Sequence, residues 1–340
     1  MSTPIRFSGR ALALTITFGL TLLSCASLKL QLHNASVQKP SNVALYFSVE
    51  KSNGAPVAKL DAKAFRIFED GRLISPFESK QTILNPEVAV VHYTLLLLDL
   101  SGSVTESGSL HTLVQAAASF ADKVAKRQKI AIYGFEGGAD LVPVTPFTTS
   151  SSAVSAGLAR ISTRKSRDPS TNLHGAVVRA VKVLESAMKR STQPLRFGTL
   201  VIFTDGTDRA HRVTAEKMHE ALDNSHVNVF VIGLGAEIDQ GELRRLGRNG
   251  FVQATEGKNV RAAFDEVAAR IEAAARKFYL LSYCSPSRAG THELRVELKV
   301  DGQSGGLSHQ FKADGFGPRC DPKRKPRFSV HRVRLKPTQR

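Results

Sequence analysis

Four runs of almost uninterrupted apolar residues constrain the fold of this 340-residue chain more strongly than any other feature. They read VAVVHYTLLLLDL, KIAIYGF, TLVIF and VNVFVIGL, and they lie between residues 88 and 234. A strand with one face in water alternates apolar and polar residues, whereas a strand covered on both faces is apolar throughout. The runs therefore predict a parallel sheet enclosed between two layers of helices.

Amphipathic helices are predicted between and after these runs. In residues 172–190 apolar side chains recur at helical spacing, and charged side chains take the opposite face. Residues 110–127 and 260–276 repeat the pattern. The alternation of strand and helix over residues 88–278 predicts an α/β domain with a doubly wound, mostly parallel sheet.

Small β modules are predicted on both sides of this domain. Residues 43–86 alternate apolar and polar side chains around Asn53-Gly54 and Asp70-Gly71, and the second pair is a strong hairpin signal. Residues 279–316 return to the strand pattern. This later segment either extends the first β domain or packs beside the α/β domain, and the sequence does not choose between the two.

The N-terminus has the features of an export signal. Two arginines precede the apolar stretch ALALTITFGLTLLSC, which is too short to span a bilayer comfortably. Its ending resembles a bacterial lipobox, which implies a signal peptide over residues 1–24 and acylation of Cys25. The alternative is an ordinary signal peptide with an incidental cysteine. The polar residues 25–42 would then be a tether, and the protein would be exported and lipid-anchored in the bacterial cell envelope, in the periplasm or at the outer membrane and cell surface.

Two cysteines remain once Cys25 is assigned to the anchor. Cys284 and Cys320 form an even pair in a protein predicted to be exported, where disulfides persist. A disulfide between them is therefore expected. Two unpaired thiols are the alternative, because spacing alone does not show that the two residues approach each other.

The net charge of +17 is distributed unevenly along the chain. Overall, 42% hydrophobic and 23% charged residues are typical of a globular protein and argue against disorder or multiple membrane spans. Residues 317–340 are predicted to be a basic tail that contacts anionic lipid or another anionic envelope polymer. Nucleic acid is not an expected partner, since no nucleic-acid-binding pattern accompanies the charge.

Oxygen-bearing side chains are predicted to meet at one edge of the sheet. Asp99 ends the first apolar run and is followed by Ser101 and Ser103, Asp205 follows the run TLVIF, and Thr171 precedes a helix. Ligands of open parallel sheets bind beyond the carboxyl ends of the strands. Five oxygen donors without thiol or imidazole suit one Mg²⁺ or Mn²⁺ ion, whereas Zn²⁺ would favour Cys or His.

The three stretches DLSGS, STNLHGAV and FTDGTD resemble the metal-site loops of the von Willebrand factor A domain. The resemblance covers roughly residues 90–275 and implies that Asp99, Ser101, Ser103, Thr171 and Asp205 form a metal ion-dependent adhesion site. In that family the serines and the threonine usually bind the metal directly, and the aspartates often act through water. The flanking β segments are similar to those of a bacterial subgroup of exported A-domain proteins.

The predicted function is recognition: a lipid-anchored envelope protein grips a carboxylate of a protein partner through Mg²⁺ or Mn²⁺. One alternative is a scaffolding lipoprotein in which the metal only ties three loops together. Another is a metal-dependent hydrolase. An enzyme is not expected, because Ser101 lacks the G-x-S-x-G context of a nucleophile and no histidine is placed by motif to act as its base.

Overall fold

The computed structural model describes residues 27–106, 110–235, 238–254 and 257–329. The predicted signal peptide, Cys25 and the last part of the predicted basic tail lie outside these residues. Within the described part of the chain, no helix is long and apolar enough to cross a membrane.

The described elements alternate as expected in the middle of the chain and are strands at both ends. The strands are β1 (Leu28–Gln38), β2 (Asn42–Lys51), β3 (Phe65–Glu69), β4 (Arg72–Ile74), β5 (Thr82–Leu84), β6 (Val90–Asp99), β7 (Lys129–Phe135), β8 (Val142–Thr148), β9 (Leu195–Thr204), β10 (Val227–Leu234), β11 (Gly250–Ala254), β12 (Phe278–Cys284), β13 (Thr291–Val300) and β14 (Gln303–Lys312). The helices are α1 (Gly102–Glu106), α2 (Leu110–Ala125), α3 (Ser151–Ile161), α4 (Leu173–Arg190), α5 (Ala215–Asp223), α6 (Gln240–Leu246) and α7 (Gly257–Ala275). Short 3₁₀ turns lie at Ala62–Ala64 and Pro86–Val88.

A six-stranded sheet forms the centre of the α/β domain, in the order β11-β10-β9-β6-β7-β8. All neighbouring strands are parallel except β7 and β8, which are antiparallel at one edge. Helices α2, α3 and α7 pack on one face, and α4, α5 and α6 pack on the other. The predicted doubly wound α/β fold is confirmed. Because both faces are covered, the leucines that precede Asp99 in β6 are completely buried.

The local sequence determines where helix α4 begins and which of its faces is buried. The side chain of Asn172 accepts a hydrogen bond from the Gly175 amide at 3.2 Å, which caps the first turn. Buried residues then recur along one face of the helix, and they include Val177, Val181 and Leu184. The loop that carries Thr171 is therefore fixed by the start of a well-packed helix.

A β-sandwich, built from both ends of the described chain, accompanies the α/β domain. Its two four-stranded sheets have the orders β1-β2-β12-β5 and β14-β13-β3-β4. Strand β12 lies between β2 and β5, and β13 pairs with β3. The later β segment therefore completes the first β domain, which is the first of the two arrangements that the sequence left open.

The prediction of a tether over residues 25–42 is wrong from Leu28 onward. Residues 28–38 form strand β1, which pairs with β2 from Leu28↔Lys51 to Gln38↔Asn42. The physical reason is that Leu28, which is buried, packs into the core of the sandwich, and Leu30 packs against it. Two polar side chains of the strand, Asn34 and Ser36, are buried and hydrogen-bonded.

Part of the predicted basic tail is also packed against the sandwich. Ser36 donates its hydroxyl to the Arg327 carbonyl at 2.9 Å, and Asn34 donates its side-chain amide to the Ser329 carbonyl at 2.8 Å. Phe328 is buried between the two domains. The predicted basic tail is therefore packed on the protein over residues 317–329, because side chains of β1 bind its backbone and Phe328 anchors it.

Cys284 and Cys320 form a disulfide, with their Cα atoms 5.8 Å apart. Cys284 is the last residue of β12, and Cys320 lies in the segment that follows β14. The bond therefore connects the end of a central sandwich strand to the C-terminal segment that runs back along β1.

An aromatic cluster joins the two domains. The rings of Tyr46 and Phe278 are stacked with centroids 5.4 Å apart, and Phe197 of the α/β domain lies 5.1 Å from Phe278. His92 stacks on Phe197 at 5.0 Å, and His33 lies 5.4 Å from Phe278. We call these five residues the aromatic interface. It sits near the N-terminal ends of β6 and β9. The carboxyl ends of these strands lie seven residues farther on, about 23 Å away, on the side opposite to the sandwich.

A buried carboxylate ties the two sheets of the sandwich together. Glu69 at the end of β3 accepts hydrogen bonds from Tyr283 at 2.8 Å, Ser285 at 3.0 Å and Ser287 at 2.6 Å. The residue is 4% exposed. The Asp70-Gly71 pair that follows has positive φ at both positions and forms the expected hairpin turn between β3 and β4. Glu69 thus has a structural role in the sandwich.

We expect Glu69→Ala to lower the free energy of unfolding by about 3 kcal/mol, because three buried or partly buried hydroxyls lose a charged acceptor. Urea unfolding measures the change. Glu185→Ala, at an exposed position of α4, is the matched control and should shift the free energy by less than about 0.5 kcal/mol. Equal, small effects of both substitutions would contradict the assigned role.

Candidate metal centre

The first loop of the site begins where β6 ends. Asp99 is fully buried, and its two oxygens are both used: Oδ1 accepts the Ser101 amide at 2.9 Å and Oδ2 accepts the Thr204 hydroxyl at 2.7 Å. The next residues turn at once into helix α1, with Gly102 at its start. A Cβ atom on Gly102 would lie 2.8 Å from the Pro169 Cβ, so the loop needs glycine at this point.

Hydroxyl groups connect this loop to the loop after β9. The Oγ atoms of Ser101 and Ser103 are 3.2 Å apart, and Ser103 donates to Asp205 Oδ1 at 3.0 Å. Ser101 is buried, whereas Ser103 is exposed and Asp205 is partly exposed. Four of the five predicted residues are therefore linked by a continuous set of hydrogen bonds, and one side of the set is open to solvent.

Thr171 joins the site through its backbone. Its carbonyl accepts hydrogen bonds from the Arg209 amide at 2.8 Å and the Ala210 amide at 3.0 Å, and the nearby Pro169 carbonyl accepts from the Gly102 amide at 3.0 Å. The loop that carries Thr171 thus bridges the loops after β6 and β9. The Thr171 residue itself is buried. The three loops that the sequence singled out meet at one edge of the sheet.

Burial is the main influence on the two carboxylates. It raises the pKa of Asp99 to about 6; the hydrogen bond from Ser101 opposes this, the nearby Asp205 adds to it, and the bond from Thr204 opposes it again. Burial also raises the pKa of Asp205, against the hydrogen bond from Ser103 and the charge of Arg209. Two desolvated carboxylates held close together are an unfavourable arrangement that a cation relieves.

The donor set fits a hard divalent ion. All the side chains that converge are carboxylates or hydroxyls, which are the ligands that Mg²⁺ and Mn²⁺ prefer. Among the described residues, no group of three or more His, Cys, Asp or Glu side chains has the arrangement of a metal site. The residues that would hold an ion here are Asp99, Ser101, Ser103, Thr171 and Asp205.

Two residues that support the site were not found from the sequence. Thr204 donates directly to Asp99. Asp208 is buried and accepts the amides of His174 at 3.0 Å and His211 at 2.9 Å, so it fastens the first turn of α4 to the loop after β9. Both lie in the stretch FTDGTD, and their position beside a strand end was the available signal.

Basic residues occur in two of the loops that form the site. Arg164 is only partly exposed and pairs with the buried Glu136 at 3.3 Å, so its main role is structural. Arg212 donates to the Gly137 carbonyl at 2.6 Å and to Asp168 at 3.3 Å. Further cationic side chains in the two loops are exposed: Lys165, Arg167 and Arg209. Of these side chains, Arg209 acts on Asp205 through its charge.

A protein-family model described as the von Willebrand factor type A domain matches residues 94–207. This segment begins within β6 and ends just past Asp205, so it contains all five residues of the candidate centre. A comparison with curated protein sequences found no match.

Comparison with solved structures gave several similar folds at low sequence identity. A von Willebrand factor type A protein from Catenulispora acidiphila is 10% identical, with a TM-score of 0.45 over 85% of this chain and 74% of that one. The proximal thread matrix protein 1 of the mussel byssus, with a zinc-occupied MIDAS motif, is 14% identical with a TM-score of 0.46. The match covers 54% of this chain and 48% of that protein. Manganese-loaded TRAP protein of Plasmodium vivax is 11% identical with a TM-score of 0.46, covering 74% of this chain and 99% of that chain.

The family match and the fold agree on the same segment. A doubly wound sheet with β6 and β9 at its centre carries the three loops to one edge, as the sequence motifs predicted. Residues 94–207 therefore match the von Willebrand factor type A domain in sequence, and they carry the parallel strands and the three loops that this resemblance predicts.

Proposed function

We propose that the protein captures an acidic group of a protein partner through one Mg²⁺ or Mn²⁺ ion at the candidate centre. The observation that carries this proposal is the set of contacts linking Asp99, Ser101, Ser103 and Asp205, open to solvent at Ser103 and Asp205. A bound ion would supply an electrophilic position to a carboxylate arriving from outside. The edge faces away from the β-sandwich, which leaves it free to meet a large partner.

Charge supports an acidic ligand. The two carboxylates balance the charge of a divalent ion, and the hydroxyls contribute none, so the ion stays electrophilic enough to bind a further carboxylate. The exposed Lys165, Arg167 and Arg209 raise the local potential around the opening. These residues favour a partner with several carboxylates over one with a single, isolated group.

The proposed location is the bacterial cell envelope, with Cys25 as the lipid anchor. The proposal rests on the N-terminal sequence and is supported by the disulfide between Cys284 and Cys320, which is typical of an oxidising compartment. The substitution Cys25→Ser should release the protein from membranes, and retention of the variant would argue against the anchor.

We also propose that the protein is not an enzyme. The hydroxyl of Ser101 contacts Ser103, and that of Ser103 contacts Asp205, so neither serine is paired with a general base of the histidine type in these contacts. The remaining alternatives are a metal that only holds three loops together and a metal-dependent hydrolase. They differ in what the loss of Asp205 does: it would lower stability without affecting capture in the first, and it would remove turnover in the second.

Capture of an oligoglutamate peptide tests the proposal. The full-length protein is immobilised, and binding of the peptide is measured with Mg²⁺, with Mn²⁺ and with EDTA, beside an oligoglutamine peptide of the same length. Binding should require the metal and the carboxylates, and Asp205→Ala should abolish it. Asp140→Ala is the matched control, because Asp140 is 87% exposed in the loop between β7 and β8. Capture that EDTA leaves unchanged would overturn the proposal.

A further inference from the structure

The large hydrophobic side chains that the described residues expose all lie at one end of the β-sandwich. They are Val37, Leu73 and Phe77, with 38%, 52% and 95% of their surface exposed. Val37 is next to the last residue of β1, Leu73 is in β4, and Phe77 lies in the turn before β5. Leu73 lines a cavity with Cys284 and Cys320, and Phe77 lines a second cavity with Cys320. Val37 pairs with Val43, next to the Asn42↔Cys284 pair, so the three side chains lie at the same end. We call this region the Phe77 end.

The turn that carries Phe77 is held firmly by hydrogen bonds. The Ser75 carbonyl accepts the amide and the hydroxyl of Ser79 at 3.0 and 2.8 Å, and the Pro76 carbonyl accepts the Gln81 amide at 3.1 Å. The Ser79 carbonyl in turn accepts the amide of Cys284, at the end of β12, at 2.8 Å. The Phe77 ring is therefore exposed to solvent on a turn that is hydrogen-bonded internally and to the end of β12. Such a display is unfavourable unless another surface covers it.

Basic side chains surround the exposed ring. Two neighbouring cavities of about 340 and 680 Å³ share Lys80 and Cys320 in their walls. Four cationic side chains line the two cavities, and two anionic ones accompany them: Lys80, Arg288, Arg319 and Lys323 against Glu78 and Asp321. Exposed Lys39, Arg72 and Arg324 lie just beyond. The Phe77 end thus combines apolar groups with an excess of positive charge.

We propose that the Phe77 end docks on an anionic lipid surface. Phe77 enters the boundary between headgroups and acyl chains, Leu73 follows it, and the basic side chains meet the anionic headgroups. Aromatic rings favour this boundary, and basic clusters bind anionic membranes. A second copy of the chain is a poorer occupant, because it would bring two basic surfaces together. The surface lies on the β-sandwich, separate from the metal centre, so the two proposals stand or fall independently.

The absence of tryptophan from the chain gives a local probe of this contact. In the full-length protein, Phe77→Trp places a single tryptophan at the tip of the turn. We expect its emission to shift to shorter wavelength when phosphatidylglycerol vesicles are added, and brominated acyl chains to quench it. Phosphatidylcholine vesicles should produce neither effect. Because the probe senses only its own surroundings, an N-terminal membrane attachment alone does not generate the signal.

Ser186→Trp, at an exposed position of α4 in the other domain, is the matched control and should show no shift. Adding Lys80→Glu and Lys323→Glu to the Phe77→Trp protein should raise the lipid concentration needed for half the shift at least tenfold. A Phe77→Trp protein whose emission does not respond, or responds equally to both lipids, overturns the proposal. A blue shift that appears without lipid as the protein concentration rises also overturns it, in favour of self-association. EDTA should not affect the result.

Discussion

Addition of Mg²⁺ or Mn²⁺ at about 100 times its dissociation constant should raise the thermal unfolding midpoint by about 5 °C. An ion that binds only the folded protein stabilises it by about 2.7 kcal/mol at that excess, and a protein of this size gains about 2 °C per kcal/mol. Differential scanning calorimetry with metal and with EDTA measures the shift. Relief of the two desolvated carboxylates, Asp99 and Asp205, contributes to the affinity for the ion and so lowers the metal concentration at which this shift is reached.

The variant Asp205→Ala should lose this shift entirely. In EDTA the same substitution should leave the midpoint unchanged or raise it slightly, because Asp99 no longer faces a second carboxylate. The wild type should therefore be the more stable of the two proteins only when metal is present. Asp140→Ala should keep the full metal response. An equal shift in wild type and Asp205→Ala would place the ion elsewhere, and no shift in wild type would argue against an ion that binds without a partner.

The core of the site was predictable because it depends on local sequence. A long buried strand must end somewhere, and the residues after its carboxyl end are at a binding edge whatever the rest of the chain does. Asp99 and Asp205 each lie at or beside the end of such a strand, and the contacts among them and the serines follow from that placement. The start of α4 was equally predictable from the sequence, since Asn172 is a favourable N-cap residue and a regular apolar face follows it.

The β-sandwich was not predictable as a unit, because its pairings are remote in sequence. Tyr46 of β2 pairs with Leu280 of β12, more than 200 residues away. The sequence of a short strand does not identify the distant strand with which it pairs. The same limitation explains why residues 28–38 were predicted to be a tether and are strand β1. Their polar residues Asn34 and Ser36 are typical of a linker, and the hydrogen-bond partners of both lie in a distant segment of the chain.

Histidine composition likewise gave no indication of the aromatic interface. His92 within a strand was consistent with packing or with a surface position, and nothing in the sequence connected it with His33. In the structure both imidazoles lie in the contact between the two domains, stacked on or beside Phe197 and Phe278. The consequence is a dependence of stability on pH.

Acidification from pH 7 to pH 4 should weaken the folded protein through these two histidines. Burial lowers the pKa of His92 to about 4. Burial also lowers the pKa of His33 to about 4; the charge of Lys277 adds to this effect, and that of Glu50 opposes it. In the unfolded chain both would titrate near 6.5. Because protonation favours the unfolded state, stability is full above about pH 6.5 and is lost as the pH falls toward 4.

The expected loss is about 3 kcal/mol for the two residues together. Lowering each pKa from 6.5 to about 4 corresponds to about 3.4 kcal/mol per group. Solvent screening reduces this by roughly half, because both side chains are partly exposed. Urea unfolding at pH 7 and at pH 4 measures the difference. The double variant His33→Gln, His92→Phe should remove most of it, since phenylalanine retains the stacking on Phe197 without a titrating group.

His111→Gln, at an exposed position of α2, serves as the control and should leave the pH dependence unchanged. The carboxylates of the metal centre do not imitate the effect. Their raised pKa values make protonation favour the folded state, so in EDTA they contribute a change of the opposite sign over the same range. A protein that loses the same stability in acid with or without the two histidines would show that the aromatic interface tolerates charge. Its role would then be packing alone.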